Sequence, residues 1–272
     1  LEQKFLSIKM KKTFCRREKQ KLVTGLKCYG IWLVLLLIAV QYTICSILSV
    51  QQKLSELQAK TPAGQSGMSS SEIDSAYFEL YKQKLWLYNR YDNAKFNTMT
   101  LSIDLKNRLV ALELQGVVLK SSPIESVKVD GFIRHLSPVF YPGLFGQSTQ
   151  IDTALCTIVK VPVKVSKAAT VSSTPNKLSS DSANESTAHC RFYLKNGVIL
   201  NLKGMPADKR PDWNGKKFWF IQNIKNGLQK LQQSLLFRVP DYHPVMSLQL
   251  QDNDLKAIFR ALPDHARICI RQ

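Results

Sequence analysis

The chain has 272 residues, 38 of them basic and 20 acidic, for a formal net charge of +18. At about 100–200 residues per domain this length excludes a large multidomain enzyme. A 44% hydrophobic composition with 12 Phe, 9 Tyr and 4 Trp excludes a wholly disordered basic tail. Such an excess of positive charge points to nucleic acid or an anionic membrane, and its distribution along the chain decides between them.

Residues 1–30 carry nine Lys/Arg against Glu2 and Glu18, a net of +7. Directly after comes 31–50 (IWLVLLLIAVQYTICSILSV), with no charged residue between Lys27 and Lys53. Twenty mostly apolar residues at about 1.5 Å each match a hydrocarbon core of about 30 Å, so this stretch is expected to be a transmembrane helix. The basic flank orients it: residues 1–30 are expected in the cytoplasm and the rest beyond a bacterial inner membrane, in the periplasm or its equivalent. A cleavable signal peptide would have a shorter apolar region and a small-residue cleavage site. Instead Leu54 and Leu57 stay in helical phase with Val50, which favours an uncleaved anchor. Residues 51–70 are expected to be a juxtamembrane helix ending in a linker, TPAGQSGMSS at 61–70.

A helix over 71–97 is expected to pack on the following domain, with Ser71 as N-cap and Ile73, Tyr77, Leu80, Tyr81, Leu87 and Tyr88 at helical spacing. From Thr98 the period falls to two. Leu101, Ile103 and Leu105 alternate with polar residues, as do Val110, Leu112 and Leu114, with turns at Lys106-Asn107 and Gly116. This predicts a β-meander. Further strands are expected at 157–165, 191–202 and 266–270, with helices near 221–236 and over 252–262. Between the middle strands, 166–188 is rich in Ser, Thr and Ala and reads as a disordered loop containing the sequon Asn184-Glu185-Ser186.

Chemistry-bearing residues are sparse. Of six cysteines, Cys156, Cys190 and Cys269 follow the span; three thiols allow at most one disulfide. His135, His189, His243 and His265 form no recognisable metal-ligand spacing, and neither a metal nor a cofactor is expected. His189 and Cys190 are adjacent, but neighbours in a strand point to opposite faces. The basic stretch 191–240 holds ten Lys/Arg against Asp208 and Asp212, a net of +8, interleaved with Trp213, Phe218, Trp219 and Phe220. Lys203, Lys209, Arg210, Trp213, Lys216, Lys217 and Trp219 are its candidate binding residues. Beyond a membrane the available polyanions are cell-wall carboxylates, lipid headgroups and acidic proteins, not nucleic acid. A solvated basic face over an aromatic core would have the same composition.

Three segments resemble the catalytic domain of the bacterial L,D-transpeptidases. Residues 101–120 are similar to that family's opening hairpin, and 192–204 (FYLKNGVILNLKG) to the strand ending in its Ile-His-Gly. Residues 242–270 resemble its Ser-His-Gly-Cys-x-Arg motif with the helix and last strand that follow. The resemblance covers about two-thirds of the chain. It implies a mainly β (α+β) extracytoplasmic domain over 98–272, an L,D-transpeptidase-like β-sandwich with a few helices. In this alignment His243 takes the motif histidine, Val245 the nucleophilic cysteine, and Asn201 or Lys203 the histidine of the second segment.

Valine offers no nucleophile, and neither Asn nor Lys replaces an imidazole base, so transpeptidation by the family mechanism is expected to be absent. The expected function is a non-catalytic, membrane-anchored scaffold or binding module that engages peptidoglycan or the proteins of an envelope-spanning complex; its oligomeric state is open. The alternative is an active wall-modifying enzyme with a displaced nucleophile, Cys190.

Overall fold

The computed structural model describes residues 32–59, 75–160, 187–205 and 212–272. The basic segment 1–30, the linker 61–70, Ser71, the sequon and most of the expected loop, and Lys209 and Arg210 lie outside the described residues.

Helix α1, Trp32–Ala59, is long and apolar enough to cross a membrane, and it continues unbroken past Val50. The chain divides into two compact units: residues up to 51 with 227–240, and 52–226 with 241–272.

The second unit is a mainly β domain with a few helices. Its sheet has nine strands in the order β3-β2-β1-β9-β5-β6-β7-β8-β4. The meander is β1 (Met99–Asp104), β2 (Leu109–Leu114) and β3 (Val117–Pro123). Its first turn is held by Asp104, whose carboxylate accepts from the Asn107 backbone N–H at 3.1 Å and the Asn107 amide at 2.8 Å. The second turns on Gly116, at φ 81°, a conformation that costs glycine nothing. Only Ile124 and Glu125 separate β3 from β4 (Ser126–Val129), which pairs at the opposite end of the order. The sheet must therefore curl so that its two ends approach each other. Short helices α3 (Gly131–Arg134) and α4 (Tyr141–Phe145) lead to β5 (Thr149–Cys156), and β6 (His189–Leu194) and β7 (Ile199–Met205) form a hairpin. After α5 (Trp213–Leu235), strand β8 (Val245–Gln251), helix α6 (Asp252–Ala261) and β9 (Arg267–Arg271) complete the domain.

Period-two alternation builds the core. Leu101, Ile103, Val110, Leu112, Ile268 and Ile270 line one stretch of the inner face, and Phe192, Leu200, Leu202, Met246, Leu248 and Leu250 another. The buried side of α6 (Leu255, Ile258, Phe259) closes on it, with the Phe259 ring stacked over Phe192 at 6.4 Å. Each such leucine contributes about 1.5–3 kcal/mol by burial. Helix α2 (Ser75–Ala94) covers the reverse side of the meander, where Arg90 pairs with the buried Glu113 at 2.9 Å.

Several element boundaries differ from expectation. The β-branched run 157–165 is not a strand across its described part; the strand is β5, which stops at Cys156. The single strand expected over 191–202 is the β6–β7 hairpin, turning at Gly197 (φ 86°). Helix α5 starts at Trp213, eight residues before Ile221. Helix α6 is as expected, and the Asp252 carboxylate in its first turn is turned to other partners. That carboxylate accepts from the Ala188 backbone N–H at 2.7 Å and pairs with Lys256 at 2.8 Å.

Candidate functional site

Strands β6, β7, β8 and β4 lie side by side, and their register builds two polar rows on the face opposite the core. One row runs Arg191, Asn201, Ser247, Lys128 and the next His189, Lys203, Gln249, Ser126. The intervening residues, Cys190, Leu202, Leu248 and Val127, point to the core, as a period of two requires. Three of the eight polar residues are cationic, and none is acidic.

The first half of α5 lies over this face. Its start is fixed by Asp212, which caps the helix by accepting from the Gly215 backbone N–H at 2.9 Å while its other oxygen meets His189 Nε2. Gly215 has no substitute here, because a Cβ would overlap both Asp212 and the His189 ring. One turn on, the Trp219 ring sits 5.1 Å from the Arg191 guanidinium and 5.0 Å from Lys203 Nζ. Asn223 accepts from Arg191 Nη2 at 3.0 Å.

Arg191 is the centre of the arrangement. It is 3% exposed, yet its hydrogen-bond partners are neutral amides: Asn201 at 2.9 Å and Asn223. Among the described residues no carboxylate pairs with it, and its Nη1 has no partner. His189 Nδ1 and Trp219 Nε1 are likewise buried without a partner among the described residues. A buried cation lacking a counter-charge costs several kcal/mol. Lys203 is affected in turn: burial, and then the like charges of Lys128 and Arg191, hold its ammonium below the usual lysine range. Among the described residues the patch is donor-rich and cationic, and its one carboxylate, Asp212, is turned to His189 and the Gly215 N–H rather than to Arg191.

Ser247 is the nucleophile-type side chain nearest this centre. Its hydroxyl accepts from the Asn201 amide at 3.2 Å, and among the described residues it contacts no imidazole or carboxylate that would act as base.

Comparison with family models, with curated proteins and with solved structures returns no match. The likeness to L,D-transpeptidases therefore rests on the sequence segments.

The structure distributes the expected site residues unevenly. Asn201, Lys203 and Trp219 come together around Arg191. Val245 sits at the start of β8 opposite Ile199, so it is Ser247 that faces Asn201. His243 lies beyond that end of the strand, exposed, with Nδ1 3.0 Å from the Gly197 carbonyl. Cys190 is completely buried, faces the core, and is joined to its cross-strand neighbour Cys156. A disulfide sulfur on the apolar side presents no thiolate to the polar face. Cys269 stays a free thiol, pushed up to about 12 by burial. Trp213 is exposed, with Lys216 Nζ 5.1 Å from its ring, and Lys217 is exposed beside it.

Sequence reasoning missed Arg191, Asn223, Ser247 and the His189–Asp212 pair. A signal existed: polar residues fall on alternate positions at 189, 191, 201, 203, 247 and 249. Which rows they form depends on register, and register is set by pairing between strands distant in sequence. Elsewhere a cleft of about 800 Å³ carries Lys84, Lys195 and Arg267 without a carboxylate, but Lys195 is already bound to Gln150 at 2.7 Å.

Proposed function

We propose that this chain is a non-catalytic, membrane-anchored protein of the bacterial cell envelope that binds peptidoglycan through its peptide carboxylates. On this reading α1 crosses the inner membrane with residues 1–30 in the cytoplasm. The domain is then a degenerate L,D-transpeptidase-like fold in which the old reaction face serves for binding. Arg191, buried and without a carboxylate partner among the described residues, carries the proposal. A planar guanidinium whose Nη1 has no partner among the described residues suits a carboxylate oxygen, Lys203 supplies a second cation, and charge-assisted hydrogen bonds of this kind are about twice as strong as neutral ones. Trp213, exposed at the start of α5, offers a stacking face for the sugar backbone.

Pelleting of the detergent-solubilised full chain with purified sacculi tests this. The wild type should sediment with the wall, and Lys203→Glu should lower the bound fraction at least five-fold. A wild type that stays in the supernatant, or a variant that binds equally well, would sink the proposal.

A further inference from the structure

The first unit contains more than the apolar span. The last turns of α5 and the segment after it present Leu228, Leu231, Leu235, Leu236, Phe237 and Val239, each between 37% and 82% exposed. The first three recur at helical spacing, which in a soluble domain would mark the side that faces a core. Here that stripe faces outward.

The end of the helix is tied to α1. The Gln41 side-chain amide donates to the Ser234 carbonyl at 2.7 Å, and Ser234 is buried. Gln41, Cys45 and Ser49 recur every four residues on one side of α1, and the latter two are buried, whereas most of that helix is exposed. Gln41 lies nine residues before Val50, roughly 14 Å along the axis. A helix end at that depth must satisfy its backbone groups internally, because hydrocarbon supplies no partner. Among its last carbonyls, Ser234 O also accepts from Phe237 N at 3.0 Å, and Gln233 O accepts from Arg238 N at 3.0 Å. This closing motif places Phe237 in the left-handed region, at φ 54°. Glycine ordinarily occupies that position, but here a phenylalanine holds it, 82% exposed.

Charge points to the same surroundings. From Trp213 to Pro240 there is no Asp or Glu, while Lys225, Lys230 and Arg238 lie in or beside the apolar segment.

From these observations we infer that 228–239 is a second membrane element, seated on α1 and inserted into an anionic bilayer with Phe237 leading. The apolar stripe faces acyl chains, and Lys225 and Lys230, toward the start of the segment, meet phosphate headgroups. The inference rests on α1 being the membrane anchor, as proposed above.

Photolabelling of the reconstituted full chain tests it. The vesicles would be phosphatidylcholine with phosphatidylglycerol, doped with a lipid carrying a diazirine in its acyl chain, and adducts would be mapped by peptide mass spectrometry. Adducts are expected in both 32–50 and 228–239. A Leu236→Asp/Phe237→Asp variant should lose those in 228–239 at least five-fold and keep those in 32–50. Adducts in 32–50 alone in the wild type would overturn the second element, as when a second copy of the chain covers that face, and would leave the anchor standing. Adducts in neither segment would overturn the anchor and the second element together.

Discussion

Arg191 and Asn201 face each other across the β6–β7 pair, Nε to Oδ1 at 2.9 Å, and that neutral amide stands where a buried guanidinium would ordinarily meet a carboxylate. Among the described residues no carboxylate compensates this desolvated cation, and since an uncompensated buried charge costs several kcal/mol, an apolar side chain of similar length removes that cost. Arg191→Met is expected to unfold at the same or higher denaturant concentration than the wild type while losing wall binding. Equilibrium urea unfolding beside sacculus pelleting checks both halves. A strongly destabilised variant would mean that Arg191 is structural.

Lys203 gives a pH signature. Burial, with Lys128 and Arg191 close by, lowers its folded-state value below the ordinary 10.5. The protonated form is then less favourable in the native state than in the unfolded chain. The resulting destabilisation is fully present below the folded value and is relieved as pH rises from there towards 10.5. Thermal unfolding from pH 8 to 10.5 should show this relief in the wild type and a flatter profile in Lys203→Met. A bound carboxylate should remove the slope by favouring the charged form.

Asp254 joins the first turn of α6 to β3. Burial works against its ionised form, but hydrogen bonds from Lys120, at 2.8 Å, and from Ser122 prevail and hold the carboxyl below its usual value. The stabilisation is present above the unfolded value of about 3.9 and is lost as pH falls through the folded one. Asp254→Asn is expected to cost about 1–2 kcal/mol at pH 7 and almost nothing at pH 2, measured by urea unfolding at both.

The Cys156–Cys190 bond staples β5 to β6 around a loop of 34 residues that includes 161–186. Cross-links of this kind contribute about 2–4 kcal/mol, mainly by restricting the unfolded chain. Protein folded in an oxidising compartment should show an intact mass two hydrogens below the reduced value, with 156 and 190 in one linked peptide. The double Cys156→Ala/Cys190→Ala variant should unfold earlier in urea by that amount.

Sequence reading reached the elements whose signal is local. The apolar helix, the 101–120 meander and α6 depend on composition and on periods of 2 or 3.6 within a dozen residues. It misplaced β5, because the β-branched residues of 157–165 outweighed the more polar TQIDTALC in intrinsic propensity; pairing with β6 and β9 decided otherwise. The site was half legible. Lys203 and Trp219 stood out as charge and aromatic ring, whereas Arg191, Ser247 and the His189–Asp212 pair acquire meaning only when β6, β7, β8 and α5 meet. Val245 and Ser247 lie two residues apart on the same face of β8, so which of them faces Asn201 leaves no trace in the apolar pattern.

The most direct test of the carboxylate-binding account uses sacculi whose free carboxylates have been converted to amides. Pelleting of the full chain with untreated and amidated sacculi, at one protein concentration and low salt, isolates the group that Arg191 and Lys203 are held to bind. The account predicts that amidation lowers the bound fraction at least ten-fold. Equal binding to both preparations would contradict it.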